Sequence, residues 1–400
     1  MDAGVVVVGA GFAGFWAAAA ARRAGGPTLP ITLVGPAPTL VLRPRLYEAR
    51  PESLAVDLAG LLERLDVGFV ADTATGVDTV GHRLEFTSRP GLPFERLVVA
   101  TGSVMRRPPV PGADHAFSID TQLEAQCFDR RLAAIAHTAT HADTPIAQAP
   151  VVAVVGAGFT GLELALELRD RLQLHGGAAL AERLRIVLID RAEMAGPELG
   201  KGPAGVIETA LREAEVELHL GASIARFAAD RVIFHDGTSL VADAIVLSTG
   251  LEAAPFTSQL PGPRDHAGRV VVDSFLRAPL APHVFVTGDA ASADTGDGHR
   301  ALQSCQHALQ LGRYAGENAA RDLIGLPLVA YQQLRYVTCL DLGRSGAVLT
   351  QGWDRQVVLT GAEAKAVKVK INTELIYPPA DADLASLLRQ SQLDPDTRSS

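Results

Sequence analysis

The chain has only three cysteines, Cys127, Cys305 and Cys339, in 400 residues. No two fall in a CxxC or CxxxxC spacing, which argues against a disulfide framework, a redox dithiol and a cysteine-built zinc site. Positive charge is in deficit. The net charge of −9 leaves no basic stripe for nucleic acid and no general attraction to an anionic membrane. Aromatics are scarce, at 5%. No apolar run reaches the roughly 20 residues needed to cross a bilayer; "FWAAAAA" ends at Arg22–Arg23. The opening MDAGVVVVGAG lacks the basic segment and cleavage site of a signal peptide. The expectation is a cytoplasmic protein with no metal, no nucleic-acid partner, no transmembrane segment and at most weak peripheral membrane contact.

What the chain has is glycine, 38 residues of it, placed twice in the same setting. "VVVVGAGFAG" and "VVAVVGAGFTG" each join a β-branched run to a glycine turn and a helical stretch. A continuous apolar run of this kind reads as a strand buried on both faces of a parallel sheet. In GxGxxG the first glycine allows a tight turn and the second lets backbone approach a diphosphate. The third lets helix pack on strand, and the helix N-terminus offers free N–H groups. Gly9, Gly11 and Gly14 fit, as do Gly156, Gly158 and Gly161. The repeat predicts an α/β protein with two Rossmann-like dinucleotide-binding domains and a small β-rich C-terminal segment.

The end of the strand after each turn selects the nucleotide. An acid there bonds a ribose 2′-OH, whereas a 2′-phosphate needs an arginine. After the second turn "RIVLID" ends at Asp190, which favours NADH over NADPH even with Arg191 next door. The plainer alternative is that Asp190 caps the following helix. After the first turn "ITLVGP" ends at Gly35, and the acid is missing.

Taken together, "VVVVGAGFAG", "LVVATGS", "VVAVVGAGFTGLELA", "AIVLSTG" and "VFVTGDAA" resemble the pyridine nucleotide–FAD oxidoreductases, flavoproteins with two dinucleotide-binding domains. The likeness covers at least residues 1–320. It implies FAD on the first turn and NAD(P)H on the second. It implies that Gly288 and Asp289 meet the flavin's ribityl chain, that Thr101–Gly102 and Thr249–Gly250 cross between domains beside the cofactors, and that Glu163 lies near nicotinamide and flavin. A carboxylate answering the helix dipole is the plainer role for Glu163. The implied division is an FAD domain in two parts, 1–120 and 263–325, an NAD(P)H domain at 121–262 and a C-terminal segment at 326–400.

Within that family the absent dithiol excludes disulfide reductases. "LRPRLYE", with Arg43 and Pro44, resembles the segment beside the isoalloxazine in type II NADH:quinone oxidoreductases. "CQHALQLG" resembles their AQxAxQxG quinone motif, with Gln306, Ala308, Gln310 and Gly312 matching. Gln306 and Gln310 are therefore candidates for an acceptor site, against glutamines that simply satisfy buried backbone. His307 is either a proton donor to a reduced quinone or a helix-surface residue. Cys305 and Cys339 are expected to be buried, inert thiols. A quinone-like or other small-molecule acceptor is expected, and a homodimer is left open. The alternatives are a redox sensor like apoptosis-inducing factor, a ferredoxin or rubredoxin reductase, and a sulfide:quinone reductase-like enzyme.

Overall fold

Val5–Val8 occupy the middle of a six-stranded sheet in the computed structural model, which describes residues 4–141 and 149–393. All four valines are buried, as expected for a strand covered on both faces. They pair in parallel with Ile31–Gly35 on one side and Arg96–Val99 on the other. Gly68–Ala71 extends the sheet beyond Ile31–Gly35. On the far side Arg96–Val99 pairs with Ala281–Val286, a strand that arrives some two hundred residues later in the chain.

A second sheet repeats the plan. Val151–Val155, again wholly buried, runs parallel to Arg185–Ile189 and Ala244–Leu247. Val216–His219 and Phe117–Ser118 are its edges. Phe117–Ser118, within the 1–120 range drawn for the first unit, thus hydrogen-bonds into the second sheet. The polar linker read before Val151 falls largely on residues outside those described.

Four helices matter for the site: α1 (Phe12–Gly25), α2 (Phe159–Gly176), α3 (Cys305–Leu323) and α4 (Gly361–Lys370). α1 and α2 follow the two glycine turns. Six of the ten buried residues of α1 are alanine, and small residues at Ala13 and Ala17 let α3 approach closely. A Cβ on Gly312 would sit 2.3 Å from the Ala13 carbonyl oxygen, and one on Gly316 1.9 Å from that of Ala17. The motif glycine Gly312 is therefore a helix-packing residue. It brings the N-terminus of α3 up beside the first glycine turn.

The C-terminal region departs from the expected β-rich segment. Val337–Asp341, Ala347–Gln351 and Gln356–Thr360 do form an antiparallel sheet. From Gly361 the chain is helical: α4, a π-helical turn at Ile371–Leu375 and a short helix at Leu384–Gln390. The alternation in "AVKVKI" reads as strand, but Ala, Glu and Lys are good helix formers, and burial of Ala364 and Lys368 on one face fixes the helix. In the short helix Leu384–Gln390, Leu387 is fully buried against the core that includes α1, while Leu384 stays exposed. No helix among the described residues is long and apolar enough to cross a membrane.

Candidate functional site

The two glycine turns are built alike and differ at one point. Gly9 and Gly156 take left-handed φ values of 110° and 109°. Their amides donate to Val34 and Ile189 at 2.8 Å each. A side chain at either would strike the carbonyl of the next strand's turn, Ala100 or Ser248, at 2.2 or 2.0 Å. At the middle glycines the turns diverge. A Cβ on Gly11 would meet nothing within 4 Å, whereas one on Gly158 would lie 2.8 Å from Glu198 Oε1. The first turn opens to free space; a carboxylate covers the second.

The equivalence of the turns places Gly35 and Asp190 at matching positions, one residue past Val34 and Ile189. Asp190 Oδ2 accepts the Ala157 amide at 2.6 Å and Oδ1 accepts that of Ala192 at 2.8 Å. It braces the glycine turn and its own loop, and does not cap a following helix. A carboxylate has about four acceptor sites, so capacity remains for a ribose hydroxyl.

The two crossings fasten to each other. Ser103–Met105, after Thr101–Gly102, pairs antiparallel with Leu251–Ala253, after Thr249–Gly250. Thr249 Oγ1 donates to the Arg106 carbonyl at 2.5 Å. Arg43, in the turn that includes Pro44, donates to both Ser103 O and Ser103 Oγ at 2.9 Å and forms an ion pair with Asp120. Its guanidinium thus ties the first unit to the start of the second. Ser103 Oγ in turn donates to Asp289 Oδ2 at 2.6 Å. Burial pushes the Asp289 carboxyl up, and the Ser103 hydroxyl works against that. Gly288, left-handed at φ 61°, lets this turn rest on Ala13 of α1, where a Cβ would come within 2.8 Å.

At the N-terminus of α3 several polar atoms are buried without a hydrogen-bond partner: Gln306 Oε1, His307 Nε2 and Gln310 Oε1, together with Thr101 Oγ1 and Thr287 Oγ1 on the adjoining turns. Buried polar groups are normally satisfied, so a set of orphans on converging elements is the mark of a ligand cradle. His307 is not on the helix surface. It is fully buried and lies beside Tyr336 at 5.2 Å and Trp353 at 6.0 Å, ring centre to ring centre. Ser304 Oγ accepts the His307 amide and sits 3.0 Å from Nδ1. The hydroxyl has one proton and two acceptor lone pairs, so its contact with Nδ1 is compatible with either ring tautomer. Burial, reinforced by Arg269 and Arg355, pushes the imidazole down to about 3. It is neutral at physiological pH and offers no titrating proton.

Glu163, on α2, is buried and does not simply answer the helix dipole. Its Oε1 accepts Lys368 Nζ of α4 at 2.8 Å and the Asp341 amide at 2.9 Å. Burial pushes its carboxyl up to about 7 despite Lys368. Lys368 is held above the usual lysine range: burial opposes its charge, and Glu163 overcomes this. The ammonium also lies 5.7 and 5.6 Å from the Tyr47 and Phe159 ring centres. Tyr47 donates to Asp341 Oδ2 at 3.2 Å, and Lys365 reaches Asp341 Oδ1 at 2.5 Å. Glu167, one turn along α2, is also pushed up to about 7, by burial and by Asp341. Cys305 and Cys339 are both free thiols. Burial raises each to about 11, Lys368 acting against it, so both stay protonated.

Lys368, Asp341 and Glu198 carry no motif and were not candidates in the sequence. Lys368 lies in a helix of the segment expected to be β-rich, and Glu198 in the loop "GPELG". No three or more metal-type ligands converge among the described residues.

Residues 3–312 match the family described as pyridine nucleotide-disulphide oxidoreductase. The chain is 39% identical over 392 residues to an NADH dehydrogenase-like protein of Mycobacterium tuberculosis, covering 96% of each. It is 25% identical to a demethylphylloquinone reductase of Synechocystis, covering 86% of each. Its fold superposes on that of NDH2 from Plasmodium falciparum in complex with NADH with a TM-score of 0.78. The superposition covers 98% of this chain and 97% of that one at 11% identity.

Proposed function

Given that the chain belongs to the pyridine nucleotide-disulphide oxidoreductase family and is an FAD-dependent NAD(P)H oxidoreductase, we propose that NADH is its donor and a quinone-like small molecule its acceptor, with no redox disulfide of its own. The observation that carries this reading is the cluster of buried, unpartnered polar atoms at Thr101, Thr287, Gln306, His307 and Gln310, next to a glycine turn that opens on free space. A polar planar heterocycle and its diphosphate suit that combination, and the residues present fit FAD.

Bound FAD would supply the redox step, accepting hydride from NADH and passing two electrons on. The chain's own residues bind and orient. Gly9, Gly11 and Gly14 bring the α1 N-terminus to one diphosphate, and Gly156, Gly158 and Gly161 bring that of α2 to the other. Thr101–Gly102, Gly250, Gly288 and Asp289 hold the first cofactor where the two units cross. Arg43 and Pro44 keep the crossing rigid, Arg43 through Ser103 and Asp120. Asp190 selects NADH over NADPH, because its carboxylate bonds a ribose hydroxyl and repels a 2′-phosphate.

For the acceptor, Gln306 and Gln310 supply amides, each suited to a quinone oxygen, and His307 a neutral imidazole. A proton for the reduced quinone does not come from His307, whose imidazole is already neutral. Glu163 is the better holder of a proton, since its carboxyl titrates near neutrality beside Lys368. The name of the Synechocystis relative, a demethylphylloquinone reductase, supports a quinone.

The purified protein is expected to be yellow, to bleach with NADH in the absence of oxygen, and to turn over with menadione. A colourless protein that binds no flavin, or one bleached by NADPH alone, overturns the reading. Turnover far below one per second with menadione and ferricyanide alike overturns the acceptor half of it.

A further inference from the structure

We infer that Glu198 is a built-in competitor for the nucleotide diphosphate, a carboxylate that occupies the phosphate position of the second glycine turn and must swing away for NADH to bind. The inference rests on the reading of that turn as the NADH site.

The Phe159 amide, at the N-terminus of α2, donates to Glu198 Oε1 at 2.6 Å. A Cβ on Gly158 would lie 2.8 and 3.0 Å from the two Glu198 oxygens. The carboxylate thus fills the space above the one residue whose missing side chain is meant to admit a diphosphate. An anion at a helix N-terminus is favoured by the free amides and the dipole. The charge there is supplied by the protein itself. The first turn has the same construction and no such occupant.

The loop that carries Glu198 is placed to release it. Residues 196 and 200 are glycines at φ 67° on either side of the Pro197–Leu199 turn. Gly196 is fixed to the glycine turn by its amide, 2.8 Å from the Ala157 carbonyl. Leu199 is buried, while Glu198 itself is exposed. The side chain can therefore rotate into solvent with the loop still anchored. Beyond it Gly202 lies against the Arg355 carbonyl, where a Cβ would come within 2.2 Å, so the loop is wedged between the turn and the C-terminal hairpin.

The test is calorimetric titration of the flavin-loaded protein with ADP-ribose, which carries the diphosphate and no redox chemistry, and with adenosine, which lacks the diphosphate. E198A removes the carboxylate; E198Q keeps its shape and removes its charge. Loss of an anionic helix cap corresponds to about 3- to 30-fold in affinity. ADP-ribose is expected to bind tighter by that factor to E198A and by a smaller factor to E198Q, with adenosine unchanged. ADP-ribose affinity that is unchanged or weaker in E198A overturns the inference, as does equal tightening of adenosine. Failure of wild type and both variants to bind ADP-ribose refutes the nucleotide site itself, and the inference with it.

Discussion

Glu163 and Lys368 lie 205 residues apart in sequence and meet at 2.8 Å in the interior, each almost sealed from solvent. Such a pair stabilises little over an apolar substitute, yet breaking it leaves a lone buried charge, at a cost of about 3–5 kcal/mol. E163Q, which leaves the buried Lys368 ammonium without its carboxylate, is expected to lower stability by that order in denaturant titration. The E163Q/K368M double variant should recover much of the loss. Additive losses would mean that the two groups do not share one interaction.

Glu163 also titrates near neutrality, with its carboxyl raised to about 7 by burial. If it holds the proton for the acceptor, the acceptor half-reaction should show a limb near pH 7 in stopped-flow, and E163Q should lose that limb. Hydride uptake from NADH should keep its pH profile.

Asp190 braces the Ala157 amide and is proposed to bond the ribose. D190A should raise KM for NADH about tenfold or more, the scale of one hydrogen bond to a charged group. It should affect NADPH less, because repulsion is relieved. If Asp190 only braces the turn, both nucleotides lose equally.

His307 sets an acid limit. Its pKa falls from about 6.5 in an unfolded chain to about 3 when folded. The folded state thus binds fewer protons. Stability from this group is complete above pH 6.5 and is lost as pH falls through 3. Thermal unfolding from pH 7 to 4 should show the decline, and H307F should flatten it. Equal decline in both would place the acid sensitivity elsewhere.

Gly312 tests the packing that presents Gln306 and Gln310. G312V must push α3 away from the Ala13 carbonyl. Overpacking of this kind costs about 1–3 kcal/mol, and we expect the flavin to dissociate on gel filtration. G205A, in the helix Ala204–Glu213 with open space around it, should retain flavin.

The glycine turns were legible because everything they need is local: valines, then glycines at fixed spacing, then a helix. Resemblance singled out Thr101–Gly102 and Thr249–Gly250 as crossings, but the pairing of the segments that follow them, Ser103–Met105 with Leu251–Ala253, joins residues almost 150 apart and leaves no local signal. Lys368 was hidden because the valines alternating with lysines in α4 suggest a strand, and tertiary burial of one face decided otherwise. Glu198 was hidden for another reason: a loop glutamate has no period, and its meaning comes from the turn it touches. His307 was misplaced because adjacency to Gln306 says nothing about depth, and Gly312 draws the whole helix inward.

The strand Ala281–Val286 closes the first sheet against Arg96–Val99. During synthesis the first sheet must therefore wait with an unpaired edge at Arg96–Val99 until residue 286 leaves the ribosome. The second sheet, whose strands all lie between 117 and 247, can finish earlier. An open edge of "RLVV" is the kind of template to which other strands add. Of the two sheets, the order of translation thus makes the opening one the later to be completed.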